Sequence, residues 1–399
     1  MSDAMQLLLT SFASLLCTFW IYPYVLRVAK SKNIVDNPDA RKLQRTPVPV
    51  LGGLAVVFGI LTGMMVYSLF DVTLDFYPMF SSIIIIFLIG MLDDTIALSP
   101  KTRFVVEIIL VLYIIYLSGC QLNHFHGLWQ LNVIPDYISI PLTVVASVGI
   151  INAINLIDGV DGYSSGYCIV SSGLFCAMFA HLGYYRMVAF SLIVCASLLP
   201  FFLCNVFGKR SKMFIGDAGT LSLGIIFSGF IMRLITFTPS SELAYDSNLA
   251  LIPFSFSVLC VPVFDTLRVM SSRMFKGKSP FNPDKTHLHH LFIELGFSHI
   301  GTTISILILN LFVVFCWYVS SQLGASSDVQ LYVVFALGIL LTFVLYPLVK
   351  RHIRNNTSFY RLLSRIGSST HVKQKAFWRA IQCSVDNAIG VEETEEPQE

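Results

Sequence analysis

This chain is short of charge. Only 13% of its 399 residues are Asp, Glu, Lys or Arg, against about 25% in a soluble domain. Apolar residues make up 55%, and mean hydropathy is +0.72. That poverty excludes a globular enzyme, with or without a single anchor. Cysteine is sparse as well: nine residues, mostly inside apolar runs, with no CxxC pair. The pattern argues against a disulfide framework or a zinc site. No Gly-rich dinucleotide fingerprint, P-loop or internal repeat occurs. The opening residues, MSDAMQ, lack the positive stretch of a cleavable signal, and the apolar run behind them is long enough to span a bilayer.

What the chain does have is apolar length. A span needs about 20 apolar residues. Eleven spans are expected, at 5–26, 51–70, 79–92, 104–118, 138–157, 163–182, 187–207, 219–237, 250–270, 300–323 and 329–349. The two short ones, 79–92 and 104–118, should each extend a turn into their flanks. The expected fold class is all-α, a polytopic membrane protein. A transmembrane domain would cover 1–350 and a tail 351–399. The tail is basic with interleaved aromatics up to about 380, which suits a membrane surface. It ends in the acidic VEETEEPQE, which has a disordered composition.

The few charges are placed unevenly. Loops 27–50, 93–103, 158–162, 208–218, 268–299 and 350–399 carry 24 of the 26 basic residues. The positive-inside rule makes that side cytoplasmic, with the N-terminus outside and the C-terminus inside.

The same side collects the chemistry-bearing motifs. Asp93-Asp94 ends the third span. A helix C-terminus disfavours carboxylates, so Lys101, Arg103 or a divalent cation should compensate; a solvated helix end is the plainer alternative. In NAINLIDGVDGYSSG (152–166), Asp158 and Asp161 each precede a glycine, and Asn152 and Asn155 lie one turn earlier. Helix capping by Asp161 explains one carboxylate but not both. In KMFIGDAGTLSLG (212–224), Asp217 opens the eighth span, a helix N-terminus suited to phosphate or simply capped by the Asp itself. Lys209, Arg210 and Lys212 stand before it and either bind phosphate or mark the inner face. Asp265 is an intramembrane carboxylate and therefore a functional candidate, unless Arg268 merely pairs with it. Glu107 reads as a simple i,i+4 pair with Arg103. His287, His289 and His290, in GKSPFNPDKTHLHHL (277–291), suit hydrogen bonding to phosphate or sugar better than metal ligation. Carboxylates and cations together suggest magnesium, with manganese as the alternative, working on phosphates.

Five ordered motifs, VDNPDARKLQRTPVPVLGG, LDD, NAINLIDGVDG, FIGDAG and SPFNPDKTHLHHL, together resemble the polyprenyl-phosphate N-acetylhexosamine-1-phosphate transferases, glycosyltransferase family 4. The HLHH form and the Asp of VPVFD resemble the WecA/TagO-like branch more than the muramoyl-pentapeptide branch. The resemblance implies transfer of N-acetylglucosamine-1-phosphate from UDP-N-acetylglucosamine to undecaprenyl phosphate, with release of UMP. It implies catalytic roles for Asp93, Asp94, Asp158 and Asp161, and magnesium on Asp217 with Asp93. It assigns substrate contacts to Asp36, Arg41, Lys101, Asn155, Asn205, Arg273, His287, His289 and His290. It also implies a bacterial cytoplasmic membrane, membrane lipid as a partner, no nucleic acid, and room for a homodimer. An intramembrane aspartyl protease and a secondary transporter are the competing classes. The protease leaves the HLHH loop and Asp93-Asp94 unexplained, and a transporter would place its charges near the midplane, often in repeated halves.

Overall fold

The computed structural model describes residues 3–37, 46–71, 77–96, 98–236, 249–280, 285–371 and 376–390. It is built from helices: α1 (Asp3–Ser31), α2 (Gly52–Ser68), α3 (Tyr77–Ile96), α4 (Pro100–Ser118), α5 (Asp136–Leu156), α6 (Tyr163–His181), α7 (Tyr185–Phe207), α8 (Gly216–Thr236), α9 (Leu251–Val258), α10 (Cys260–Phe275), α11 (Leu288–Glu294), α12 (His299–Gln322), α13 (Ser327–Ile339), α14 (Leu345–Arg354), α15 (Ser358–Ser369) and α16 (Ala376–Ala388). One small antiparallel pair, β1 (Val35–Asp36) with β2 (Val48–Pro49), matches Val35 to Pro49 and Asp36 to Val48. This is an all-α polytopic membrane protein.

Each of the eleven expected spans has a helical counterpart. Among the described residues, eight helical stretches, α13 and α14 together counting as one (Ser327–Arg354), are long and apolar enough to cross a membrane, or nine if the bent pair α9 and α10 counts as one. Helix α2, with 17 residues, is shorter than that, and α4 carries Lys101, Arg103 and Glu107 on its own turns. Helices α3 and α4 do extend beyond their apolar runs into the flanks.

The ninth expected span, 250–270, is not straight: α9 and α10 meet at 70°. The cause is Pro262, which has no N–H for the Val258 carbonyl four residues back. In an apolar bundle such a group must find another partner. Tyr167 Oη (2.6 Å) and Asn310 Nδ2 (3.0 Å) donate to Val258 O, while Asn310 Oδ1 accepts from Val261 N (3.0 Å). Helices α13 and α14 continue one another through a π-helical turn, 340–344, just ahead of Pro347.

The centre of the bundle is α8. Every residue from 218 to 232 is buried. Small residues make this possible: Ala218, Gly219, Ser222, Gly224, Ser228 and Gly229 let neighbouring backbones close in. Helices α3 and α5 pack directly on it, and Gly90 of α3 lies so near the Ala218 backbone that a Cβ would overlap it. The outer faces of α1 and α12 instead expose Leu8, Phe12, Trp20, Ile308 and Phe315, as a lipid-facing surface requires. The buried helix α8 therefore begins at a fixed point, and the site is assembled around that beginning.

Candidate active site

Asp217 lies in the first turn of α8, yet it does not cap the helix. The cap comes from another span: the Asp94 carboxylate, at the end of α3, accepts the backbone N–H of Asp217 (2.8 Å) and of Ala218 (3.0 Å). This corrects the expectation that Asp217 itself caps α8. Two of the first N–H groups of α8 are held by the Asp94 carboxyl, which thereby sits at a favourable dipole end instead of its own helix terminus. Gly216 makes the arrangement possible. Its φ is +71°, and a Cβ there would stand 2.6 Å from both Asp94 Oδ2 and Val50 O.

The freed Asp217 side chain faces a polar cluster. Asn155 of α5 hydrogen-bonds Asp217 Oδ1 and also reaches Thr220 Oγ1 (2.8 Å). The Asp93 and Asp217 carboxyls lie within hydrogen-bonding reach of each other. Arg103 of α4 stands over both, with Nη1 3.1 Å from Asp93 Oδ2 and 3.7 Å from Asp217 Oδ2. It also approaches Glu107, at 3.7 Å. The i,i+4 pairing expected from the sequence therefore exists but is only one side of a bridge. Glu107 takes its closer hydrogen bond from Asn152 (2.6 Å). Sequence reasoning named Arg103, with Lys101, as a candidate partner of Asp93-Asp94; the structure selects Arg103 for Asp93 and adds Asp217, a contact the sequence did not signal.

Asp158 and Asp161 lie on the turn between α5 and α6 and have opposite surroundings. The Asp158 surface is open, but protein surrounds the recess it occupies. That withdrawal from bulk water raises its pKa most, to about 7. The Ser164 hydroxyl at 2.6 Å pulls it back down, while the charges of Asp217, Asp161 and Asp36 push it up. Asp161 is buried, which alone would raise its pKa as well. His299 (2.8 Å) and Lys212 (2.7 Å) outweigh the burial and hold it at about 2. Asp161 is therefore not the cap of α6, a place taken by Gly162. Lys212, expected to bind phosphate or mark the inner face, spends its charge on Asp161.

Asn205 of α7 is buried and ties two loops together: Oδ1 accepts Gly162 N (2.6 Å) and Nδ2 donates to Met213 O (2.8 Å). Asp36 is half-buried on β1. Lys101 is exposed in the first turn of α4. Arg41 lies outside the described residues.

The histidine segment packs onto the same recess from the other side. His289 rests on Gly159, where a Cβ would come within 2.5 Å of Nε2. Burial, then His290 and His287, keep the pKa of His289 well below the ordinary histidine value, so it is neutral at pH 7. His287 and His289 stack at 5.7 Å, and His290 is half-buried beside them. Asp265 of α10 orients the segment by accepting from His287 Nδ1 (3.0 Å) and from Leu288 N (3.1 Å). Arg268 pairs with Asp265 (2.6 Å) and donates to Thr286 O (2.5 Å). The expected Asp265–Arg268 pair is present and also serves as a bracket for the loop. Arg273 is buried and donates to Pro280 O (2.6 Å).

Among the described residues, no group of three His, Cys, Asp or Glu converges to hold a metal. Magnesium commonly needs less, one or two carboxylates with substrate phosphates completing its shell. Asp93 and Asp217, adjacent hard-oxygen donors in mutual contact, fit that requirement.

The chain is similar to known proteins across this region. The family model for glycosyl transferase family 4 matches residues 76–235, which hold Asp93, Asp94, Arg103, Asn155, Asp158, Asp161 and Asp217. A Bacillus subtilis (strain 168) protein named "Probable undecaprenyl-phosphate N-acetylglucosaminyl 1-phosphate transferase" is 30% identical over 363 residues, 90% of this chain and 97% of its own length. The undecaprenyl-phosphate alpha-N-acetylglucosaminyl 1-phosphate transferase of Escherichia coli (strain K12) is 29% identical over 283 residues, 69% of this chain and 73% of its own length. The Yersinia pestis protein of the same name is 28% identical over 278 residues, 68% and 73% respectively.

Proposed function

The chain belongs to glycosyl transferase family 4, and from that premise we propose that it transfers N-acetylglucosamine-1-phosphate from UDP-N-acetylglucosamine to undecaprenyl phosphate, releasing UMP. The observation that carries this reading is the meeting of Asp93, Asp94, Asn155 and Asp217, drawn from three helices, at the start of α8. The concentration of Lys and Arg in the loops on that side supports a cytoplasmic site in a bacterial inner membrane. The donor nucleotide would arrive there from water and the lipid phosphate laterally from the bilayer.

In the proposed reaction an oxygen of the lipid phosphate forms a bond to the sugar-bearing phosphorus. The bond from that phosphorus to the bridging oxygen breaks, and the electron pair leaves with UMP. A phosphate monoester has a second pKa of about 6, so the nucleophile is largely ionised at pH 7 without a strong base. The residues of this chain then act by positioning and by charge. Asp94 fixes the first turn of α8, and Asn155 orients the Asp217 carboxylate. Arg103 holds Asp93 and Asp217 together. Asp158, exposed on the turn between α5 and α6, would meet the nucleotide sugar. His287 and His289, ordered by Asp265 and Gly159, wall it opposite. A divalent ion, magnesium by the oxygen donor set, would be held by Asp217 and Asp93, and when bound it supplies charge neutralisation at phosphate oxygens.

The test is direct. Purified protein in detergent or nanodiscs is given undecaprenyl phosphate, magnesium and a panel of UDP-sugars, and lipid products are identified by mass. A lipid-linked N-acetylglucosamine diphosphate with stoichiometric UMP is expected. A product with a different sugar would move the donor assignment, and no lipid-linked product from any donor would sink the activity.

A further inference from the structure

The segment between α7 and α8, residues 208–215, connects Asn205 to Asp217 and carries Lys212. Its backbone is gripped from two sides. From α1, Tyr22 Oη donates to Ser211 O (2.7 Å) and Lys30 Nζ to Arg210 O (2.9 Å). From the far end of the chain, α16 brings in Asp386, which is buried. Its carboxylate accepts Arg210 N (3.1 Å), Ser211 N (3.0 Å) and Ser211 Oγ (2.6 Å). Trp378, on the same helix, is buried against the Phe207 ring at 5.1 Å. A carboxylate removed from water and given three donors on one loop has a defined place, unlike a solvated tail residue.

The next residue after this grip is Lys212, whose ammonium reaches Asp161 at 2.7 Å. Two residues further, Phe214 N donates to Pro49 O (2.7 Å), ahead of Gly216 and Asp217. Holding the backbone at 210–211 therefore fixes the point from which Lys212 extends. We propose that Asp386 is a positioning residue: α16 latches the 208–215 loop so that Lys212 stays on Asp161 and the nucleotide-sugar side of the recess keeps its shape. The kinetic part of this inference rests on the function proposed above, but the latch itself does not.

The experiment uses the full chain and three variants, Asp386→Ala, Asp386→Asn and Trp378→Ala. Backbone hydrogen exchange of residues 208–215 and separate KM values for UDP-N-acetylglucosamine and undecaprenyl phosphate are measured. Asp386→Ala should speed exchange at Arg210 and Ser211 and raise the nucleotide-sugar KM about tenfold, the scale of one lost hydrogen bond to a charged group. The lipid-phosphate KM should not move. Asp386→Asn keeps one acceptor oxygen and should fall between Ala and wild type in both readouts. Should Asp386→Ala fail to accumulate, the Asn and Trp378 variants carry the same comparison. Unaltered exchange overturns the latch. Loosened exchange with unchanged kinetics, or equal loss for both substrates, overturns its link to the nucleotide-sugar side. If even the wild type transfers no sugar phosphate, the proposed function fails, and exchange alone decides the latch.

Discussion

Two aspartate clusters face each other across the Asp158-Gly159 turn, and they differ in how their charge is answered. Around Asp265 a single carboxylate meets Arg268, the His287 ring and the Leu288 amide. Its charge is matched inside the protein, and what it accomplishes is order in the histidine loop. Around Asp217 one guanidinium, Arg103, reaches three carboxyls, Asp93, Glu107 and Asp217, while a fourth, Asp94, sits on the first amides of α8. Amides of α8 and two asparagines also hold these carboxyls, which still outnumber the one guanidinium shown to reach them. A saturated cluster is scaffold. A cluster left short of positive charge is one that an incoming cation and phosphates can complete.

Replacing Asp217 with Asn should break the unsaturated cluster most severely. Transfer should fall by about 10²–10³ or more while the protein still inserts, measured in membranes with radiolabelled UDP-N-acetylglucosamine. Near-normal turnover would refute the assignment. Arg103→Ala should come next, with activity down about 10²-fold, because Asp93, Asp217 and Glu107 then repel without an internal cation. Raised magnesium should recover part of that loss, and Arg103→Lys should keep more activity than Ala. Indifference to either change would mean that Arg103 does not govern this cluster.

On the saturated side, Asp265→Asn should act first on stability. It leaves Arg268 buried without its partner, a loss of about 3 kcal/mol, read as a lower unfolding temperature with or without substrates. A variant as stable as wild type but inactive would move Asp265 from scaffold to chemistry.

The smallest expected effect is at Asp158, on the border between the clusters. Its pKa is raised in the folded state from 3.8 to about 7. Its contribution therefore favours folding below about pH 4 and is lost as pH rises through about 7. Asp158→Asn should remove that dependence, and solvent access keeps the difference on the order of 1–2 °C. Melting temperatures across pH 4 to 8 should converge at the acidic end only if the sign is right; parallel curves would refute it.

Much of this site was legible in the residues. Asp93-Asp94, Asp158, Asp161 and Asp217 stand out because a chain so poor in charge has little reason to keep carboxylates at helix ends. Arg103 stood out as a candidate partner of Asp93-Asp94, but its reach to Asp217 was hidden because the two residues lie on helices far apart in the chain. The α8 cap was misread because Asp217 is the nearest capping residue in sequence, while Asp94 is 123 positions distant. The bend at 259 left a hint in Pro262, but a Pro within an apolar run does not reveal whether Tyr167 and Asn310 wait to satisfy the freed carbonyl.

Sequence alone determined that this chain lives in a bilayer as helices, that its basic loops and polar motifs gather together, and which family it resembles. These follow from hydropathy, charge asymmetry and ordered motifs, all local properties. Tertiary structure alone decided who partners whom: Asp94 on α8, Arg103 between Asp93 and Asp217, Lys212 on Asp161, Asp386 on Ser211. Side-chain pairing depends on distances across helices far apart in the chain, and those distances are set by how closely small residues such as Gly90 and Ala218 allow the spans to approach.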